Sequence, residues 1–454
     1  MFAQKLIVPA FAVIGIAAGK SLRTHPNTHV THLPALKSIN GEEQAQDGLR
    51  ISFPHASGLI EMDRADFYRL LAQSASVCSQ ATATINSQAD ATAFASCSTI
   101  SGSVVVSSSA SGIISIDGPQ QITGDLTCEN AGGLTTLGST TLGSIGGTFT
   151  LNNLTLLSTL SMSDLTSVKT IAWTALPALS ALTFPSTVSK ATSVTISNTF
   201  LSTLDGINLD TVATLQIDNN NRLKTFSTQI ANVTSAVNIN SNGNNLDVAF
   251  PNLIWAANMT LRNVSSISIP SLATVNGSLG FYGNFMDSIA APNLTSVGST
   301  ATGQGSLAVD ANSKLTNLSM PLLKTVGGAN QIANNTALGN ISFPALTTVG
   351  GAIDFSGSFS TPQLPALNNV KGGFNVQSTV QIDCSGFKSE SGSGKVIQGT
   401  FICETTANAT TLGSSTSSGA ASTATSSKGA AASYGMNEAV AGLSVIGGLL
   451  QMLL

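Results

Sequence analysis

Charge is scarce in this chain: 9% of residues are Asp, Glu, Lys or Arg, and the formal balance is −4. Nucleic acid is held first through its phosphates, so a chain with no basic patch is excluded from that partner class. Aromatic residues are also few, at 5% with two Trp and three Tyr. A core has to come from branched aliphatics instead. The four histidines, His25, His29, His32 and His55, all fall in one segment, and the rest of the chain has none. Five cysteines occur without a close Cys pair, so the spacing lacks the pattern of a structural zinc site, and no cofactor or metal is expected.

What is abundant is Ser, Thr, Asn and Gly set between Leu, Ile and Val, a composition that suits a β-solenoid of aliphatic core and tight turns. The order is periodic. A Pro-x-Leu step begins at Pro251, Pro270, Pro292, Pro321, Pro344 and Pro365, with gaps of 19, 22, 29, 23 and 21 residues. A valine follows the leucine by three in Leu294/Val297, Leu323/Val326, Leu346/Val349 and Leu367/Val370. Short alternating segments give a second landmark. Their first positions, 194, 215, 237, 259, 279 and 307, are 21, 22, 22, 20 and 28 residues apart. Both point to a rung of about 22 residues, too short to bury its own apolar face, so neighbouring rungs must stack. Alternation with period two puts Ile217 and its equivalents inside and the residues between them outside. The expected fold class is all-β, one solenoid spanning 74-403.

The flanks read differently. Residues 1-19, with an apolar run from Leu6 to Ala18 and small residues at its end, have the form of a secretory signal peptide. Residues 404-433 are nearly pure Ser, Thr, Ala and Gly, a stalk that cannot bury enough apolar surface to order itself. Residues 434-454 end in an uncharged run from Ala439, preceded by Gly429-Ala430-Ala431 and a polar spacer. That is the arrangement of a glycosylphosphatidylinositol (GPI) signal propeptide, with attachment at Gly429. Residues 20-73 match nothing around them: residues 21 to 73 hold 11 of the 40 charged residues as well as every histidine. The segment is read as disordered or as a retained intron. Gly19-Lys20-Ser21 can be encoded by a splice donor and Gln73 by an acceptor, and joining Gly19 to Ser74 leads straight from signal peptide to domain.

In a secreted chain the cysteines imply disulfides with one thiol left over. Cys78–Cys97 would close the first end of the solenoid and Cys384–Cys403 the last; Cys128 is unassigned and is also able to pair with Cys97. Asn198, Asn219, Asn263 and Asn334 are expected at corners, where amides satisfy turn backbone and repeat as a ladder. The long gaps before Leu307 and Pro321 place a bulged loop within 295 to 306. Ten Asn-x-Ser/Thr sequons occur, at Asn153, Asn232, Asn258, Asn263, Asn276, Asn293, Asn317, Asn334, Asn340 and Asn408. Asn153, Asn232, Asn293 and Asn317 fall nearer turns and are favoured for N-glycosylation. Asp218, Asp310 and Asp354 are the candidate acids of a polysaccharide-cleaving enzyme, and Trp173, Trp255 and Tyr282 the candidate rings for stacking on sugar.

Several stretches together carry a resemblance. They are Ile85-Asn86-Ser87-Gln88-Ala89-Asp90 between Cys78 and Cys97, Cys97-Ser98-Thr99-Ile100-Ser101-Gly102-Ser103-Val104, Gly124-Asp125-Leu126, the Pro-x-Leu-x-x-Val repeats with Gly-Gly at or just after the valine in those from Pro321, Pro344 and Pro365, and the closing Gly-Leu-Leu-Gln-Met-Leu tail. With them the chain from Ser74 to Leu454 resembles the fungal GPI-anchored cell-wall organisation proteins. The resemblance implies a right-handed parallel β-helix of leucine-rich-repeat type, similar to the L domains of insulin-type receptors. It also implies a role in wall integrity at the outer face of the plasma membrane or in the wall, and it brings no catalytic residues. The expected function is non-enzymatic, with cell-wall polysaccharide or wall glycoproteins as partners and the membrane reached through the GPI anchor; the alternative is a β-helical enzyme acting on wall polysaccharide. Sequencing of the mature transcript is expected to show Gly19 joined to Ser74, and codons 21 to 73 in the message would overturn the intron reading.

Overall fold

The computed structural model describes residues 77–409 and, as backbone alone, the strands Ile51–His55 and Gly58–Met62, which pair antiparallel with each other. The signal peptide, the rest of 20-73, the chain beyond residue 409 and Gly429 lie outside the described residues.

Residues 77–409 form a parallel β-solenoid of about 14 turns with coils of about 22 residues. Each full rung has three faces. A short strand such as Thr325–Val326 or Thr348–Val349 makes the first. A long strand such as Leu307–Asp310, Asn330–Ala333 or Ile353–Gly357 makes the second, and one such as Ser288–Ala290 or Asn317–Ser319 the third. In earlier rungs the first two faces fuse into one bent strand, as in Ser144–Asn152, Ser167–Leu176 and Ile207–Asp218. The Pro-x-Leu step is the turn from third face to first, and it buries Leu253, Leu272, Leu294, Leu323 and Leu346.

The register follows the sequence landmarks. Val194, Leu215, Val237, Met259, Leu279 and Leu307 stack one above another through consecutive rungs. Val104, Leu126, Phe149 and Ile171 continue the same column toward the N-terminus. Stacked strands lie about 4.8 Å apart, so every aliphatic meets its equivalents above and below at van der Waals distance. The column has one polar member, Asn330, between Leu307 and Ile353. Its amide is buried, and neither Nδ2 nor Oδ1 has a hydrogen-bond partner.

The corners that follow the long strands are built from two successive residues. Asn130, Asn153, Asn198, Asn219, Asn263 and Asn334 all take the left-handed conformation, with φ between 53° and 57°. Asn tolerates that region better than other residues with a side chain. The ladder of amides, however, is formed one residue later than expected. Asn220, Asn242, Asn284, Asn312 and Asn335 are the buried ones. The Nδ2 groups of Asn220, Asn284 and Asn312 donate to the Oδ1 of the next rung's amide at 3.1, 2.9 and 3.0 Å. Each of the five also donates to a carbonyl of a core strand, for example Asn312 to Phe281 at 3.1 Å.

Both ends are covered. Cys78 is bonded to Cys97 and Cys384 to Cys403. Cys128 stands in the core column between Val106 and Leu151 with a free, buried thiol, a position that leaves no route to Cys97. At the first end the Gln88 amide takes the place of a missing rung: its Oε1 accepts from Ser115 N at 2.7 Å and its Nε2 donates to Ser115 O at 3.1 Å. At the last end Phe387 packs on Phe374, which stacks on Phe401 of the final strand. The expected bulge is a small hairpin closed by the Ser299–Gln304 bridge, lying against Gly327, where a Cβ would come within 2.2 Å of Gln304 O.

Two changes test this core in opposite directions. Asn330→Leu replaces an unpartnered buried amide with a side chain matching the column and is expected to stabilise by about 1 to 3 kcal/mol. Asn312→Ala removes the middle of the ladder and is expected to destabilise by a similar amount. Thermal unfolding followed by circular dichroism reads both, and an Asn330→Leu midpoint below the parent's would refute the account of the core.

Candidate functional site

The outward side of the long strands changes character along the solenoid. Through the first half it carries small polar side chains, such as Thr150, Asn152, Thr174, Thr195 and Ser197. It then becomes a cluster of larger functional groups, arranged by the register in two neighbouring columns. Arg262, Tyr282 and Asp310 stack in consecutive rungs, followed by Ala333, Ser356 and Gln377. Beside them run Thr260, Gly280, Ala308, Gln331, Asp354 and Asn375.

Gly280 allows the first contact. A Cβ there would lie 2.3 Å from the Tyr282 ring, so the ring can fold flat across the strand only because residue 280 has no side chain. The Arg262 guanidinium lies over the same ring, 4.5 Å from its centroid. Tyr282 is thus covered on its faces and supports a cation, which corrects its expected role as an open stacking platform. Further along, Asp310 accepts from Asn334 Nδ2 at 2.8 Å. Asp354 accepts from Asn375 Nδ2 at 2.9 Å, and Asn375 Oδ1 accepts from Gln377 Nε2 at 2.9 Å. The small outward residues Ala308, Ala333 and Ser356 are only 6%, 5% and 6% exposed. They form the floor of a shallow trough whose rim is the longer side chains around them.

Burial pushes the carboxyls of Asp310 and Asp354 above the ordinary value of 3.8, against the pull of their amide partners. Asp310 adds to the rise at Asp354 by repulsion, while Arg262 opposes the rise at Asp310. Burial likewise raises the Tyr282 hydroxyl, with Arg262 opposing. The two carboxyls sit two rungs and two strand positions apart, which at about 4.8 Å per rung and about 3.3 Å per residue puts their Cα atoms about 12 Å apart. Asp218 stands four rungs before Asp310 and is tied to Ser197 and Gln216. The three acids therefore do not converge on one point.

The tryptophans are not binding rings of this face. Trp173 is fully buried in the core, edge-on to Phe149 and Phe184, because the rung interior is wide enough to need it. Trp255 is half-buried on the short-strand face between Asn232 and Thr274. Sequence reading missed Arg262, Gly280, Gln331 and Asn375. The signal was present: the offsets of 20 and 28 that align 259, 279 and 307 also align Arg262, Tyr282 and Asp310.

Most of the sequons lie off this surface; Asn334 reaches its edge, where its Nδ2 donates to Asp310. Asn153, Asn263 and Asn334 are at the corner after the long strand, Asn317 and Asn340 on the third face, and Asn293 in the Pro-x-Leu turn. Asn232 is not at a turn: it begins the strand Asn232–Asn240, half-buried and paired with Thr211 and Trp255. Asn152, Asn238, Asn240 and Asn375 do lie on the long-strand surface, and none of them is part of a sequon. Asn258 is locked by its own hydrogen bonds, donating to Ser235 O and accepting from Ser278 N. Asn276 and Asn340 are exposed, with no side-chain hydrogen bond to the described residues.

No family model matches the chain, and no solved structure matches it. Three relatives are informative. Protein ecm33 of Aspergillus fumigatus is 47% identical over 324 residues, 71% of this chain and 79% of the relative. The cell surface GPI-anchored protein of Arthroderma benhamiae is 41% identical over 82% of this chain and 93% of its own length. Cell wall protein ecm33 of Schizosaccharomyces pombe is 33% identical over 67% of this chain and 72% of its own.

Two measurements follow from this geometry. An acid that holds its proton more tightly when folded than unfolded stabilises the fold at low pH and loses that contribution as pH rises through its raised value. Asp354→Asn is therefore expected to raise the melting temperature at pH 7 and to flatten its fall above pH 3.8; a lower melting temperature at pH 7 would contradict the burial. Site-resolved glycopeptide mapping is expected to find Asn276, Asn293 and Asn340 occupied and Asn232 and Asn258 bare.

Proposed function

The chain belongs to the fungal Ecm33-like family of GPI-anchored cell-wall proteins, and from that premise we propose that it organises the wall without catalysis, docking wall material on the outward face of its long strands. The observation that carries this reading is the distribution of sequons. With Asn334 held as an amide on Asp310, glycans attached at the other corners, the turns and the other two faces would leave most of one long polar surface bare, and that surface holds the trough between Arg262 and Asn375. The signal peptide, the stalk and attachment at Gly429 would place this face at the outer side of the plasma membrane or in the wall, as the names of the relatives imply for those proteins.

Hydrolysis is the rival reading, and the raised carboxyls of Asp310 and Asp354 are its best support. Glycoside hydrolysis uses two carboxyls about 5 to 10 Å apart on either side of one bond. Here both stand in one sheet with their Cα atoms about 12 Å apart, and each is engaged by an amide. Release of reducing sugar from β-glucan or chitin, lost in Asp310→Ala, would decide for hydrolysis.

A glycan can be moved onto the face to test docking. Asn240→Thr creates an Asn-Ile-Thr sequon at Asn238, on the long-strand surface; Ile254→Thr creates one at Asn252, in a Pro-x-Leu turn. Once glycopeptide mapping confirms both new glycans, the first variant is expected to leave a null strain hypersensitive to wall-perturbing dyes and the second to restore it. Full rescue by the glycosylated Asn240→Thr protein would refute docking on this face.

A further inference from the structure

We infer that the trough is a subsite for one chain of neutral polysaccharide running along the solenoid axis, across the rungs from Arg262 to Asn375. This rests on the docking reading above and names its ligand.

The chemistry of the rim selects the class. Protein interfaces draw their energy from buried apolar and aromatic anchors, and this surface offers none. Ile113, Leu156, Phe200, Ile254, Leu322 and Val380 are the exposed large hydrophobics, and every one lies at a corner, at a turn or on the third face. A polyanion is disfavoured as well. Glu129, Asp218, Asp310, Asp354 and Glu404 occupy outward positions of the long strands, and among the described residues Arg262 is the one cation with them. What remains suits hydroxyl groups. Asp310 and Asp354 accept from O–H, the Arg262 guanidinium donates, and the amides of Gln331 and Asn375 do both. Adjacent hydroxyls of a pyranose need that mixture of donor and acceptor.

Preorganisation points the same way. Arg262 is held flat by Tyr282, and Asp354 is fixed by Asn375, so less side-chain freedom is lost when a ligand arrives. The carboxylates of Asp310 and Asp354 each accept from one amide and keep further lone pairs for a ligand. The polar groups repeat with the rungs, about 4.8 Å apart, close to the advance of one sugar residue along an extended chain. The projecting polar groups are spaced by whole rungs, so one polymer reaches several of them at once and weak contacts accumulate through multivalency.

The test uses the secreted, glycosylated protein in sedimentation with intact cell walls, protease-stripped walls, insoluble β-1,3-glucan and chitin. The wild type is expected to bind intact and stripped walls alike and at least one of the two pure polysaccharides. Arg262→Ala and Asp354→Ala, each checked for a cooperative melting transition, are expected to weaken that binding about tenfold, a loss of about 1.4 kcal/mol. If either fails to fold, Gln331→Ala on the same rim takes its place with the same expectation. Binding to intact walls that protease removes, with none to either polysaccharide, would overturn this inference in favour of a protein partner and leave docking standing. No binding to intact walls would overturn docking itself. Polysaccharide binding unchanged in the rim variants would place the ligand on another face.

Discussion

Everything in this molecule depends on each rung turning its corner in the same way as the rung before it. Parallel strands gain their hydrogen bonds only if equivalent residues arrive at equivalent heights, and a slip of one residue would turn every core side chain outward. The corner after the long strand enforces this with two consecutive residues of different function. The first takes a left-handed backbone, which reverses the chain in one step. The second sends its amide inward, where Nδ2 reaches a core-strand carbonyl and, in Asn220, Asn284 and Asn312, the amide of the next rung. A left-handed Ala311 or Ser241 shows that the backbone reversal can be made without asparagine. The buried position is less forgiving: where Val264 replaces the amide, the chain of Oδ1 acceptors between Asn242 and Asn284 is interrupted.

The architecture was legible because two unrelated landmarks agreed. A proline-led turn and an alternating strand, counted separately, gave the same interval, and the residues aligned by that count are the ones the register stacks. The insertion before Leu307 was legible for the same reason, since it lengthened both counts at once. The corner was legible only in part. In Asn219-Asn220 and Asn334-Asn335 the sequence shows two amides side by side, and nothing in composition says which one turns the backbone and which one enters the core. Trp173 was open to two readings, a ring for sugar or a filler of the core, and a rung interior bounded by Phe149 and Phe184 takes it in.

The site was harder to read than the fold because its members never approach one another in sequence. Arg262, Tyr282, Asp310 and Asp354 are separated by 20, 28 and 44 residues, and they meet only after the unequal rung lengths are applied. Gly280 was invisible for another reason. Its contribution is the absence of a side chain beneath a ring, and that matters only once the Tyr282 side chain is known to lie across it.

The rungs around the trough depart from the rules followed elsewhere in the solenoid. Asn330 places an unpartnered amide in a column otherwise filled by aliphatics and phenylalanines, directly beside Gln331 of the rim. Asp310 and Asp354 are carboxyls held in surroundings that disfavour their charge. Tyr282 lies over a glycine in mid-strand, where glycine weakens a strand. Each of these lowers stability, and the earlier rungs show that the same architecture is built without them: Val194, Leu215 and Val237 occupy the core column, and Thr195, Gln216 and Asn238 stand outside. A rung that served only as a spacer would have no reason to differ from those. Local conflicts with folding preference are expected where a surface has been selected for something besides folding; one lies elsewhere, in the buried and unpartnered Nε1 of Trp173, and those named above lie in the rungs that form the trough.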